Sequence, residues 1–369
     1  MAMKEPSPDV VIVGGGLIGC SAAYFLSRRG ARVLLLEKGG VGGETSSGAA
    51  GMLGVDSEPE EDPVCRAFAR QSRSLYESLA EVFRREVGVD IQFEGKGLLS
   101  LARDEKEESE FRQREAGGHG SFWSPDEVRA QCPDLAEPFR GGLFHSLDGQ
   151  VTASRVAEGF RRAAESLGAV VRENTKATGL IRQGNRVTGV RVGRKSVFGG
   201  TTLLALGPKG WSLASATGWR PPIFPVRGEI LIFRPSRRLL PFPVFLGDSG
   251  FYLVPKPDGT FLAGTTVRRT NRAVLTNRGK DAISRAALAA LPALADAPYM
   301  GGWAGLRPGT PDGWPLLGPV PGVEGLWIAA GHFRRGVLLT PATGLWISEA
   351  MNGAPPSGFD RFSPGRFTK

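Results

Sequence analysis

The N-terminal segment combines two hydrophobic patterns, with a short apolar run on each side of a helical repeat. Val10–Val13 is apolar at every position, which is typical of a parallel strand buried on both faces. Residues 17–29 carry apolar side chains at helical spacing, and Gly30 ends that segment. Residues 32–36 form a second apolar run that ends at Glu37. The pattern therefore predicts a strand–turn–helix–strand unit at the N-terminus.

Further along the chain, α and β segments alternate at both ends, and short β runs dominate the middle. A loop over residues 37–62, rich in glycine, serine and threonine, is too long for a simple connector, so we expect it to be functional. The remaining predicted elements are a helix over 64–87, a β-rich stretch from 91, a helix opened by the capping pattern SPDE at 124–127, a helix over 154–167 with strands up to 206, short β runs over 222–307 interrupted by a helix over 280–291, a strand over 326–329 and a helix over 336–351. This order predicts an α/β fold in which a Rossmann-like domain is interleaved with a mostly antiparallel β domain.

Composition and charge narrow the class of protein without indicating a chemistry. The chain has 369 residues, 41% of them hydrophobic and 22% charged, and no segment repeats, as expected for two globular domains. The net charge is +9, but the basic residues are scattered and no nucleic-acid-binding motif accompanies them, so we expect no nucleic-acid partner. No apolar run of about eighteen residues predicts a membrane span. No basic leader precedes the first apolar run, so we expect a cytoplasmic location.

Cysteine and histidine are too sparse to predict a metal site or a histidine-based mechanism. The three cysteines are far apart and lack the spacing of metal ligands, so we expect inert thiols in a reducing compartment and no bound metal: Cys20, Cys65 and Cys132. The three histidines are also isolated, and residues of this kind are more often structural than catalytic: His119, His145 and His332.

The first turn carries a dinucleotide-binding motif. Gly14, Gly16 and Gly19 have the spacing G-x-G-x-x-G between the first predicted strand and helix. The first glycine allows a tight turn, the second lets a diphosphate approach the backbone, and the third lets the helix pack closely on the strand. The helix N-terminus favours an anion, and Glu37 at the end of the second strand is placed to bind ribose hydroxyls. The motif predicts a bound dinucleotide but does not distinguish FAD from NAD.

Six sequence blocks resemble the glycine oxidases of thiamine biosynthesis, which belong to the D-amino-acid oxidase superfamily. They cover essentially the whole chain in the family's order: GGETSSGAAGML at 42–53, PVRGE at 225–229, FYLVP at 251–255, WAGLRPGTPDG at 303–313, AAGHFRRGVLLTPATG at 329–344 and FSPGRF at 362–367. The two longest blocks are highly specific, whereas PVRGE alone is moderately so.

The resemblance implies FAD bound without a covalent link. Related sarcosine oxidases attach the flavin through a cysteine near the GLRP block, and residues 303–318 contain none. It also implies an FAD-binding domain formed by residues 1–88, 151–218 and 312–369, and a substrate domain formed by residues 89–150 and 219–311. The cofactor-binding residues implied are Gly14, Gly16, Leu17, Ile18, Gly19, Glu37, Lys38, Thr45, Ser46, Ala50, Gly51, Met52, Ala177, His332, Phe333, Arg334, Arg335, Gly336, Val337 and Leu338.

The same resemblance implies a site for a small amino acid built on Arg334, Arg307 and Tyr252. A guanidinium suits this role because its planar fork pairs both oxygens of a carboxylate. No acid or base is required, since the lone pair of a neutral amine can expel the α-hydride directly onto flavin.

Four features depart from the family pattern and bear mainly on substrate choice. Arg335 stands where glycine oxidases commonly have an uncharged polar residue, and Glu44 reverses a charge often found in the long loop. ALGPKGWS at 205–212 carries extra residues, and GTTVRR at 264–269 lacks the acid that commonly follows this strand.

The implied activity is oxidative deamination of glycine, sarcosine or a small D-amino acid, with oxygen as electron acceptor and hydrogen peroxide as product, serving thiamine thiazole synthesis. A homotetramer is implied as well. The sequence leaves open a dehydrogenase that uses a quinone or another carrier, and a non-catalytic binding protein of the same fold. A nicotinamide-dependent dehydrogenase fits the first motif but leaves the C-terminal block unexplained.

Overall fold

Most of the helices and strands follow one another along the chain in the order that the hydrophobic pattern predicts. The computed structural model describes residues 7–58, 62–136 and 138–367. The strands are β1 (Val10–Val13), β2 (Val33–Leu36), β3 (Met52–Leu53), β4 (Leu98–Ala102), β5 (Ser121–Trp123), β6 (Gly141–His145), β7 (Gly149–Gln150), β8 (Val170–Arg172), β9 (Ala177–Gln183), β10 (Arg186–Val192), β11 (Lys195–Phe198), β12 (Thr201–Leu204), β13 (Phe224–Phe233), β14 (Val244–Leu246), β15 (Tyr252–Pro255), β16 (Phe261–Gly264), β17 (Arg268–Arg269), β18 (Tyr299–Gly309), β19 (Leu316–Pro319) and β20 (Leu326–Ala330). The helices are α1 (Leu17–Arg28), α2 (Pro63–Val87), α3 (Glu105–Ala116), α4 (Pro125–Gln131), α5 (Ala153–Ser166), α6 (Ser212–Ser215), α7 (Asn277–Ala290) and α8 (Gly336–Met351).

The first large sheet has six strands in the order β19-β20-β12-β1-β2-β8. Its central pairs are parallel, and only β19 runs antiparallel to β20. Ile12 and Leu35 pack on the helical side with α1, α2, α5 and α8, while Val11 and Leu34 pack on the opposite side against the sheet β9-β10-β11. Both faces of β1 and β2 are therefore covered, which explains their uniformly apolar sequences.

The second large sheet is mostly antiparallel and comes from the middle of the chain. Its strand order is β17-β13-β16-β15-β14-β4-β6-β5, and β18 pairs with β13. Helix α7 covers one face, where Ile283 and Ala287 pack on Leu231. The observed α/β class and sheet composition agree with the predicted fold. The exact domain boundaries stay a prediction.

Three helices differ from the sequence prediction, and one of them is the four-residue α6 at the end of the 205–212 turn, which was not predicted. Helix α3 was not predicted, because it is charged along most of its length and buries only Glu107 and Phe111. Helix α7 begins three residues before the predicted start at 280, where the Thr276 side chain caps it by accepting a hydrogen bond from the Gly279 N–H. Within the described ranges, no helix is long and apolar enough to cross a membrane.

Candidate active site

A cavity of about 800 Å³ lies between the two large sheets. The carboxyl ends of the parallel strands β1, β2 and β12, and of β20, all open into it, because the residues that follow each strand form part of its wall. Strands β13, β15 and β18 supply the wall from the second sheet. Ligands of open α/β sheets bind at this edge, so the cavity has the position and size of a cofactor site.

The turn after β1 is built around glycines for steric reasons. A Cβ atom on Gly14, whose φ is +113°, would lie 2.4 Å from the carbonyl oxygen of Ala205. A Cβ on Gly19 would lie 1.8 Å from the Gly14 oxygen, so helix α1 packs directly on the turn. A Cβ on Gly16 would have only Ser46 Oγ near it among the described residues, at 3.2 Å, and this oxygen accepts a hydrogen bond from the Leu17 N–H at 3.1 Å. Gly16 therefore leaves space beside the start of α1 in which a diphosphate can approach the backbone.

Glu37 lines the cavity, but its carboxylate is already engaged with the protein backbone. Oε2 accepts a hydrogen bond from the Gly15 N–H at 2.7 Å, and Oε1 accepts one from the Gly39 N–H at 2.9 Å. The side chain therefore braces the glycine turn, and its contact with a ribose stays a prediction. The neighbouring Lys38 forms an ion pair with Glu44 at 2.8 Å, so the unusual acid in the long loop has a local partner.

The long loop lies along the cavity and is tied to the second sheet. Thr45 Oγ1 donates to the Leu306 carbonyl at 2.9 Å, and Trp303 Nε1 donates to the Gly48 carbonyl at 3.0 Å. Lys256 Nζ donates to the carbonyls of Ala50 at 3.2 Å and Val151 at 2.8 Å. The five loop residues implied as cofactor ligands all line the cavity: Thr45, Ser46, Ala50, Gly51 and Met52.

The turn between β20 and α8 forms the far wall, and residues 332–338 all line the cavity. Phe333 has a φ of +46°, a left-handed conformation that is uncommon outside glycine and is often found at functional sites. His332 Nε2 lies 2.9 Å from Thr343 Oγ1, and burial lowers the pKa of His332 to about 3. The imidazole is therefore neutral near pH 7 and turned toward α8.

Arg307 and Tyr252 lie side by side at the second-sheet end of the cavity. Arg307 Nη2 donates to Thr265 Oγ1 at 2.9 Å, and Nη1 donates to the Thr266 carbonyl at 3.4 Å. Burial lowers the pKa of Arg307 and raises that of Tyr252. No carboxylate of the described residues forms an ion pair with Arg307. A partly buried guanidinium whose hydrogen-bond acceptors in the described chain are neutral oxygens is suited to bind an anion.

Arg334 differs from Arg307 in having a carboxylate partner within the protein. Its Nη2 lies 3.5 Å from Glu58 Oε1, and Arg335 Nε lies 3.6 Å from Glu58 Oε2. Arg335 also stacks on Trp314, with its Cζ 4.6 Å from the ring centre. The unexpected second cation is thus held against an aromatic ring and a carboxylate.

All the cofactor- and substrate-binding residues that the sequence implied line this cavity, except Gly19. Gly19 packs under the turn and does not line the cavity, whereas Gly14, Gly16, Leu17, Ile18, Glu37, Lys38 and Ala177 do. The extended 205–212 turn also reaches the cavity, through Lys209 and Ser212. Sequence reasoning missed Glu58, Gly228, Thr265 and Lys256. For Gly228 the sequence holds one signal, the strand alternation that places it on the same face as Ile230. The sequence patterns hold no comparable signal for the other three residues.

The residues present fit FAD. The glycine turn lines one end of the cavity, Gly16 has no side chain that would obstruct a diphosphate there, and the cavity continues from the turn to Arg307. Together the fold and the cavity define a flavin-dependent oxidoreductase. The chain belongs to the FAD dependent oxidoreductase family, whose model matches residues 9–350.

Individual relatives agree with this family. The chain is 32% identical to the glycine oxidase of Pseudomonas aeruginosa over 95% of its length and 96% of that protein's. It is 35% identical to the glycine oxidase of Geobacillus kaustophilus, over 92% of each chain. The crystal structure of glycine oxidase from Geobacillus kaustophilus superposes with a TM-score of 0.93 at 32% identity, covering 98% of this chain and 100% of that one.

Proposed function

We propose that this protein oxidises glycine or another small amino acid, such as sarcosine or a small D-amino acid, to the imine. The main support for the proposal is Arg307, a partly buried cation beside Tyr252 that has no carboxylate partner in the described chain. A substrate carboxylate would supply the missing charge. The names of the relatives support the choice of glycine.

The glycine turn, the long loop and the turn before α8 would hold the cofactor. Gly14, Gly16 and Glu37 lie where the ADP part would bind, and residues 45–52 and 332–338 lie along the remainder of the cavity. Bound FAD supplies a hydride acceptor and passes the electrons on to oxygen. The N–H groups at the start of α8, with the helix dipole behind them, would stabilise negative charge that develops against this wall.

Arg307 would bind both oxygens of the substrate carboxylate with its guanidinium fork, and the Tyr252 hydroxyl would donate a hydrogen bond to the same carboxylate. Arg334 lines the same cavity and would exchange its contact with Glu58 for one with the substrate. Holding the α-carbon within about 3–3.5 Å of its acceptor is the main catalytic task of such a site. The amine has to be neutral so that its lone pair can expel the hydride.

Histidine is not well placed to act as the base. His332 is bonded to Thr343, and His145 is buried against Ser100 in the second sheet, where burial lowers its pKa to about 3. The substrate would therefore lose its ammonium proton to solvent. We expect the reaction rate to increase with pH until the bound amine is neutral.

Product analysis tests the proposal. Purified protein with FAD and glycine should consume oxygen and release equal amounts of hydrogen peroxide, ammonia and glyoxylate. Reduction of an artificial dye without peroxide formation would favour a carrier-dependent dehydrogenase. The link to thiamine synthesis, the homotetramer and the cytoplasmic location remain predictions.

A further inference from the structure

Strand β13 contains the PVRGE block. One face of this strand lines the cavity, and the other faces the start of α7. Gly228 and Ile230 line the cavity. Glu229 points to the opposite side, toward Thr276 at the start of α7, and is only 1% exposed. The function proposed above uses neither Glu229 nor the glycine before it.

Gly228 provides the space in which Arg307 lies. A Cβ at position 228 would be 2.2 Å from Arg307 Nη1 and 2.4 Å from Cζ. The guanidinium therefore lies flat against the backbone of β13, and any side chain at this position would displace it.

Glu229 holds the segment to which Arg307 is bonded. Its Oε2 accepts a hydrogen bond from Thr266 Oγ1 at 2.6 Å. Its Oε1 accepts from the N–H and the hydroxyl of Thr276, at 2.6 Å and 2.8 Å. Burial acts to raise the pKa of Glu229, but the hydrogen bonds from both threonines, together with the charge of Arg227 whose Nη2 lies 3.7 Å from Oε2, outweigh it and hold this pKa below its ordinary value. The carboxylate is therefore ionised near pH 7.

The chain of contacts leads from Glu229 through the sheet to the cavity. Thr266 bonds Glu229 with its side chain and receives Arg307 Nη1 at its carbonyl, while Thr265 receives Nη2 at its hydroxyl. Resting on the function proposed above, we propose that Glu229 is a positioning residue for the carboxylate-binding Arg307. It acts through Thr266, independently of its role at the start of α7.

Two threonine variants separate the positioning role from a purely structural one. Thr266→Val removes the hydroxyl that links Glu229 to the Arg307 segment and leaves the α7 cap intact. Thr276→Ala removes the cap and the hydroxyl bond to Glu229 Oε1, but it keeps the backbone N–H bond to Oε1 and leaves the Thr266 link intact. The probe is glycolate, a carboxylate without an amine, whose binding to the FAD-loaded protein is followed by the change in the flavin absorption spectrum.

We expect Thr266→Val and Glu229→Gln to weaken glycolate binding and to raise KM for glycine by about tenfold, which corresponds to the loss of one hydrogen bond to a charged group. The flavin reduction rate at saturating glycine should change much less. Thr266→Ser should restore binding. Thr276→Ala should lower the melting temperature with glycolate affinity retained.

Unchanged glycolate affinity in Thr266→Val and Glu229→Gln would overturn the proposal, as would an equal loss of affinity in Thr276→Ala. A wild-type protein that binds glycolate but is not reduced by glycine contradicts the proposed function and leaves this comparison valid. A wild type that does not bind glycolate overturns both.

Discussion

Arg307 is the residue on which substrate binding is expected to depend most. Its two terminal nitrogens are hydrogen-bonded to Thr266 and Thr265, and its guanidinium lies in the space that Gly228 leaves beside β13. A lysine at this position presents one point charge and cannot pair two carboxylate oxygens in a fork.

We expect Arg307→Lys to lower kcat/KM for glycine by about 30- to 100-fold, or about 2–3 kcal/mol. The loss should appear mainly in KM. The matched control is Arg268→Lys on the exposed strand β17, which should retain wild-type kinetics. Steady-state assays on both variants make the comparison, and equal kinetics for all three proteins would contradict the assignment.

Lys256 is a single residue whose lowered pKa predicts a pH dependence of stability. Burial lowers its pKa from 10.5 to about 8, and its two acceptors are the carbonyls of Ala50 and Val151. A neutral amine keeps enough N–H groups to bond both. Between pH 8 and 10.5 the unfolded chain retains a proton that the folded protein has lost, so the free energy of unfolding should increase with pH in this window.

The measurement is the free energy of unfolding of the wild type minus that of Lys256→Met, at pH values from 7.5 to 10. The contributions of the other titrating groups to the free energy of unfolding cancel in this difference. We expect the difference to shift in favour of the wild type as the pH increases. A difference that does not vary with pH would mean that Lys256 titrates near its ordinary value.

Among the helices, α8 contains a proline and is stabilised by hydrogen bonds from α2. Pro341 has no N–H, so the Val337 carbonyl one turn earlier lacks its helical partner. The buried Tyr76 hydroxyl donates to that carbonyl, and Ser72 Oγ donates to the Leu338 carbonyl at 2.6 Å. Helix α2 thereby stabilises the N-terminal turn of α8, which forms a wall of the cavity.

Replacing Tyr76 by Phe should cost about 1–3 kcal/mol in the free energy of unfolding, because it leaves a buried carbonyl without a donor. In a Pro341→Ala background the cost should be smaller, since the alanine N–H can bond Val337. Denaturant unfolding of the two single variants and the double variant measures this coupling. Additive costs would show that the hydroxyl does not replace the missing helical donor.

The elements that sequence could predict are those with a strong period or a specific motif. The β1-α1-β2 unit and α8 follow from apolar runs and glycine spacing. Helix α3 has no apolar face to detect. The contacts of Arg307 join residues more than forty positions apart, and Glu58 meets Arg334 from a loop with no periodic pattern. Pairings of this kind depend on how the two sheets meet, which local patterns do not encode.

Across the whole molecule, the cavity is formed by segments that are distant in sequence, because the end of the chain comes back to the first sheet as β19 and β20. The glycine turn comes from β1, and the wall that carries Arg334 follows β20, more than three hundred residues later in the sequence. Arg307 reaches the same space from the second sheet. A bound FAD would contact segments from the whole length of the chain, so added FAD should stabilise the entire fold.

We expect excess FAD to increase the melting temperature of the cofactor-free protein, by an amount that grows with the logarithm of FAD concentration. Gly16→Ala places a methyl group where the diphosphate is expected and should reduce the shift. Thermal unfolding at several FAD concentrations provides the test. A melting temperature that does not depend on FAD would contradict the cofactor site.

The visible spectrum of the FAD-loaded protein mixed with glycine in the absence of oxygen tests directly whether glycine reduces the flavin. We expect the oxidised flavin bands to bleach and to return when oxygen is admitted, and we expect Arg307→Lys to need far more glycine for the same rate. A wild-type flavin that stays fully oxidised with glycine, sarcosine and D-alanine would contradict the proposed function.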